Sequence, residues 1–162
     1  MTPGQGALSA IEQVGIARAM RDSLWLYPGV EVVHIAGLAI LVGSIAMFDL
    51  RLLGIGRAMS VRSLGRFLLP WTLGSLALIV PTGLMMFSAH ASDFIDNPAF
   101  KVKMLLLMLA GINAALFHTT VYQGVAAWDT GVAPPAAARA QAVFSLSLWI
   151  SVISCGRLIA YT

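Results

Sequence analysis

The sequence predicts an all-α integral membrane protein: a four-helix transmembrane bundle preceded by an interfacial amphipathic segment. Three observations predict it. First, the 162 residues are 59% hydrophobic and only 10% charged, with a mean hydropathy of +0.85, whereas soluble domains carry about 25% charged residues. A soluble fold of this length has no interior large enough for that much apolar surface, so the bilayer is the solvent. Second, the apolar residues fall into four runs, each close to the ~20 residues that cross a hydrocarbon core as a helix. Third, the basic residues gather mostly between those runs, as they do in loops that set membrane orientation.

The elements follow in order. Residues 1–26 read as the interfacial segment. Within 7–23, Leu8, Ile11, Val14 and Met20 recur at helical spacing, with Glu12, Arg18 and Arg21 on other faces. That pattern suits a helix lying in the membrane surface. The same charges interrupt any continuous apolar stretch, so no cleaved signal peptide is expected. Trp25 and Tyr27 mark an interfacial aromatic belt, and Pro28-Gly29 is expected to break the chain. The bundle then occupies 27–162, with spans at about 30–53, 67–89, 99–122 and 142–161. Pro81 is expected to kink the second span. Asn97-Pro98 is a helix-start signature, with proline in the first turn where its missing N–H costs nothing. Residues 124–140 read as a loop, broken most clearly at Pro134-Pro135.

Arg51, Arg57, Arg62 and Arg66 cluster between the first two spans, offset only by Asp49. This reads as a cytoplasmic loop of a bacterial inner-membrane protein and puts both termini on the outer, periplasmic face. Arg18, Arg21, Lys101 and Lys103 then lie outside, which nearly balances the count. Cys155 is the single cysteine, so no internal disulfide forms. The net charge of +3 belongs to membrane orientation and does not suggest nucleic-acid binding.

The polar residues inside the spans carry the functional reading. His34, His90 and His118 are the three histidines, each on a different span. Imidazole is polar, titratable and a good metal ligand, so in lipid it needs a partner. Glu31 and His34 share a helix face, and Asp49 falls only about 60° further round. Ser147, Ser151 and Ser154 form a stripe of small residues expected to bond across the bundle. Arg157 is expected to snorkel or to pair with Glu31. Each has a bland counterpart: a lone intramembrane histidine serves as a structural hydrogen-bonder, a serine stripe as packing, and the eight methionines as core filler.

Several segments together resemble a bacterial four-span membrane family filed as a domain of unknown function. They are Tyr27-Pro28-Gly29-Val30-Glu31 through His34, Asp49-Leu50-Arg51-Leu52-Leu53-Gly54, Asn97-Pro98-Ala99-Phe100-Lys101, Asn113 through His118, and Gly156-Arg157. The resemblance runs from about residue 20 to the end. It implies the architecture and leaves the function open. The first span also has a looser similarity to copper-resistance membrane proteins and to small b-type cytochromes, both of which use histidines projecting into helical bundles.

Three functions are weighed. The first is a b-type cytochrome-like protein holding haem b between histidines of the bundle and passing electrons to a quinone or another redox partner. His34, His118 and His90 are then the candidate ligands, in that order, with Glu31 and Arg157 orienting or balancing charge. Lys101 or Lys103 would hold propionates. Measured from Trp25 and Lys103, the depth offsets between these histidines are of order 10 Å, which tilt or the Pro81 kink would have to close. The second function is copper handling along His34, His90, Met85, Met86, Met104, Met108 and Cys155, since Cu(I) prefers soft thioether, thiolate and imidazole ligands. The third is an accessory subunit of a membrane complex, with Asp49, His118 and Tyr122 as a proton relay or a bonded core. Small-residue faces suit homo-oligomerisation. No nucleophile constellation is visible, so catalysis by this chain alone is not expected.

Overall fold

The computed structural model describes residues 3–161, and the described residues are helical with no strand. Two short helices, α1 (Pro3–Glu12) and α2 (Gly15–Asp22), precede four long ones: α3 (Leu26–Leu52), α4 (Val61–Ala89), α6 (Pro98–Thr119) and α7 (Ala136–Leu158). The short α5 (Ala91–Asp96) joins α4 to α6, and a 3₁₀ segment, Val121–Ala127, follows α6. All four long helices have the length and apolarity to cross a membrane.

The boundaries differ from the sequence pattern at points with clear causes. The interfacial segment is two helices, because Val14 takes an extended conformation between them. The first long helix includes Pro28-Gly29, since a proline in the first turn removes an N–H that has no intrahelical partner anyway. Helix α4 starts six residues before the expected span, where the Ser60 hydroxyl caps it by accepting from the Ser63 N–H at 3.1 Å. Helix α6 gives way at Thr120 to the tighter 3₁₀ segment instead of running on to Tyr122. Helix α7 begins at Ala136, directly after the extended Pro135.

Two hairpins result. Helix α3 packs along α4, α6 packs along α7, and the hairpins meet where α3 lies against α7. Among the described residues, α4 and α6 make no extended backbone approach. They are joined at one end by stacked rings, Phe87 on Phe100 at 5.8 Å with Phe94 against both. That end also carries α1, α2 and the end of α7: the Asn97 amide donates to the Ile159 carbonyl at 3.2 Å. We call it the terminal face and the opposite one the arginine face.

Two glycines set the α3–α4 distance. A Cβ on Gly37 would lie 2.8 Å from Ile79 Cγ1 and 3.5 Å from the Ser75 carbonyl oxygen. A Cβ on Gly83 would lie 3.2 Å from His34 Cε1. On the arginine face Leu52, Val61, Phe117, Val125, Trp128, Ala138 and Ala142 close into one buried cluster. Elsewhere little is covered. Only 11 to 22% of the residues in the span windows are buried, so most of each helix surface meets lipid or other chains.

The two short N-terminal helices are clamped by two side chains. Glu12 accepts from the Ser92 N–H at 2.8 Å, and Arg21 donates to the Ala89 carbonyl at 2.8 Å. The Ser92 N–H and hydroxyl hold the Glu12 carboxyl below the usual carboxylate range, helped by Arg21 and His90. A depressed folded value means the contact is fully stabilising above the ordinary value of about 4 and is lost as pH falls through the depressed one. Hydrogen exchange over 3–22, corrected for intrinsic rate, is therefore expected to accelerate below that range. Glu12→Gln is expected to flatten the dependence. Equal pH sensitivity in the variant would rule out Glu12 as the cause.

Candidate functional site

The chemistry-bearing residues separate into two layers. In the half nearer the terminal face, α3 carries Tyr27, Glu31 and His34 at three- and four-residue spacing, hence along one side of the helix. The His90 ring meets the Tyr27 ring edge-on at 5.7 Å. Below them the half-buried His34 stands against α4, where its Nδ1 lies 2.9 Å from Thr82 Oγ1. Lys103, from α6, exerts its charge on His34 and itself feels Cys155 of α7. Its ammonium lies close to Gly156 of α7. All four long helices thus contribute.

The hydrogen bonds fix which imidazole nitrogen carries the proton. Thr82 Oγ1 lies 2.6 Å from the Leu78 carbonyl and 3.1 Å from that of Ile79. Its single hydrogen is committed to those carbonyls, so toward His34 the hydroxyl oxygen accepts. Nδ1 of His34 is therefore the donor, and Nε2 keeps its lone pair. A histidine oriented this way through one nitrogen presents the other as a ready acceptor or ligand. Sequence reasoning identified His34 and singled out Gly83 as room for a macrocycle, but missed Thr82, which orients the ring, and took Lys103 as lying at the outer surface. The available signal was position: Lys103 stands five residues past the Pro98 helix start, well inside the span.

The second layer lies toward the arginine face. Asp49 is buried at 5% exposure, with Ser145 of α7 beside its carboxyl group. The Asn113 amide donates to the Gln141 backbone carbonyl at 3.3 Å. At the face itself Arg51, 2% exposed, donates to the carbonyls of Met59 at 2.7 Å and Asp129 at 2.9 Å. The Asp129 carboxylate accepts from the Arg62 N–H at 2.9 Å and from the Ser60 hydroxyl. These contacts, the Arg62 N–H foremost, hold it below the usual carboxylate range. Sequence reasoning treated this arginine cluster as orientation alone. Arg51 is in addition the strap that ties the α3–α4 turn to the segment before α7.

The expected site residues are only partly brought together. His34, His90, Glu31 and Arg157 all lie in the terminal half. His118 does not: it is one residue from the end of α6, exposed, with its ring against Phe117 and Tyr122 at 5.5 and 5.4 Å. Counted from the helix starts, His34 lies roughly 12 Å and His118 roughly 30 Å below the terminal face. The expected 10 Å offset was too small because it took Lys103 as a surface landmark. Arg157 bonds the Tyr161 hydroxyl and lies over its ring, 4.8 Å from the centroid, instead of meeting Glu31. Ser147, Ser151 and Ser154 each donate to the carbonyl four residues back in α7, not across the bundle, because that acceptor is always within reach. Met104 and Met108 point outward, 41% and 56% exposed. Met85 lines a groove of ≈ 370 Å³ with Ile11, Ile16, Leu84, Phe87 and Ser88, which contains no histidine. Among the described residues no group of three His, Cys, Asp or Glu side chains is arranged to hold a metal ion.

A family model, described as a family of unknown function, matches residues 25–162. No curated protein and no solved structure matches the chain.

Proposed function

We propose, from the premise that the chain belongs to the family of unknown function DUF6644, that it is a multi-pass membrane protein binding the oxygenated headgroup of a bilayer-borne ligand of the quinol class. The observation that carries this reading is His34, whose Nδ1 is held 2.9 Å from Thr82 Oγ1, which leaves Nε2 as the acceptor, and whose ring lies within the field of Lys103. An acceptor within the field of a cation suits a headgroup that has one hydroxyl to donate and one oxygen to accept. The positive field of Lys103 at His34 works against a bound metal ion. Access from the bilayer is favoured by the backbone gap between α4 and α6, the two helices that flank His34 with Thr82, Gly83 and Lys103. Glu31, one turn above, supplies an exposed carboxylate for proton exchange with the surface.

The test is binding. Purified protein is extracted with organic solvent and the quinone content measured, then titrated with a short-chain quinol while thermal unfolding is followed. Wild type is expected to retain quinone and to gain stability on titration. His34→Ala and Lys103→Met are each expected to weaken binding by roughly ten- to a hundredfold, the range for losing one hydrogen bond to a charged or fully committed partner. Thr82→Val should weaken it less, since it frees the ring without removing it. Absence of both retained quinone and quinol stabilisation would overturn the proposal.

The same lone pair would serve as an axial ligand to haem b, which is the second reading. A reduced-minus-oxidised spectrum separates the two. A Soret band with split α and β bands assigns haem, and then His34→Ala should remove it. Within one copy no second histidine stands at the depth of His34, so such a haem would need a further ligand from a neighbouring chain.

A further inference from the structure

Asp49 lies on the other side of the bilayer midplane from the His34 site and plays no part in it. It is 5% exposed, and its Oδ2 has no hydrogen-bond partner. Gln141 Oε1 is likewise fully enclosed and unpartnered. Ser145, beside the Asp49 carboxyl group, stands one turn from Gln141 on the same side of α7. The α3–α7 seam therefore holds two acceptor oxygens that lack donors, on neighbouring turns. Burying an acceptor without a donor is costly, and burying an unpaired carboxylate far more so. The species that resolves both is one that brings positive charge or a proton.

The chain itself supplies no cation there. Arg51 lies two residues further along α3, about 200° round the helix; its Nε and Nη2 donate to the Met59 and Asp129 carbonyls, and although its Nη1 is unpartnered, the guanidinium exerts no charge on Asp49. From α4, Arg62 acts on Asp129 and Arg66 is exposed. From α6 and the 3₁₀ segment, His118 and Tyr122 are paired ring to ring. From α7, Arg139 is exposed. We propose that Asp49, Gln141 and Ser145 form an intramembrane binding site for a small monovalent cation, either a proton or an alkali-metal ion.

The experiment uses the full chain in nanodiscs and reads the thermal unfolding midpoint. One series varies pH at fixed choline chloride; the other varies NaCl against choline chloride at fixed pH. A wild-type midpoint that rises by several degrees as pH falls identifies the proton. One that rises only with sodium identifies the metal ion. In either case Asp49→Asn is expected to abolish the response, because its amide supplies the missing donor without charge. Gln141→Glu, which adds a second carboxylate, is expected to steepen it and keeps the test open should Asp49→Asn fold poorly. A wild type indifferent to both series, or a response that survives in Asp49→Asn or is unchanged in Gln141→Glu, would overturn the proposal.

Discussion

Replacing Arg51 by alanine is expected to destabilise the protein by about 3 kcal/mol, the cost of losing strong hydrogen bonds to a charged donor and leaving their enclosed acceptors bare. The side chain is 2% exposed and bonds two carbonyls, Met59 in the α3–α4 turn and Asp129 ahead of α7. Without it the turn is left with backbone links to the loop ahead of α7, Gly131 N–H to the Arg57 carbonyl and Val61 N–H to that of Asp129, and with the side-chain bonds to the Asp129 carboxylate that also cap α4 through Ser60 and Arg62. Lysine should rescue only partly. Its single ammonium does not reproduce the planar fork that reaches both carbonyls. Equilibrium unfolding in mixed micelles measures the effect. A loss below about 1 kcal/mol would mean that Arg51 acts in orientation and not in holding the fold together.

Gly37→Leu is the second large effect. Even a methyl group here meets Ile79 Cγ1 at 2.8 Å and the Ser75 carbonyl oxygen at 3.5 Å. Ile79 can turn aside, but the backbone oxygen cannot. A whole isobutyl group must therefore push α3 and α4 apart. Overpacking of this kind costs about 1–3 kcal/mol. The separation also lifts α4 away from His34, whose contact with Thr82 depends on the same seam one turn nearer the terminal face. The variant should therefore lose stability and quinol binding together, whereas Gly43→Leu, where a Cβ would meet nothing within 4 Å, should change neither. Measuring unfolding and ligand binding on both variants checks the pair. A stable Gly37→Leu with full binding would show that the α3–α4 spacing is not what positions His34.

Much of the architecture is legible because the bilayer reduces it to one dimension. Four apolar runs have to be four helices, since only intrahelical bonds satisfy the backbone in lipid. Asn97-Pro98 marked a helix start directly, and the asparagine caps it by accepting from the Phe100 N–H at 3.1 Å. Depth and neighbourhood are harder. A proline can mislead because the pattern registers it as a break: Pro28 lies inside a helix. The site was half visible. A histidine in an apolar run is conspicuous, whereas the threonine that fixes its tautomer and the glycine that admits its ring are ordinary residues in such a helix. Which helices touch depends on packing, and no periodicity encodes that. For this reason His118 could be grouped with His34 on paper, although roughly 18 Å of helix separates their levels.

The meeting of the two hairpins along α3 and α7 has a consequence for biogenesis. Helix α7 is synthesised after the other three long helices, and the α3 surface that carries Asp49 waits for it. Until Ser145 and Gln141 arrive, an emerging chain presents an acidic side chain to lipid or to the insertion machinery. Quality control therefore has a defined moment to act on. A chain truncated after α6 keeps three apolar helices yet exposes that carboxylate, and it should be recognised and degraded as an orphan. Supplying α7 as a separate peptide should rescue it.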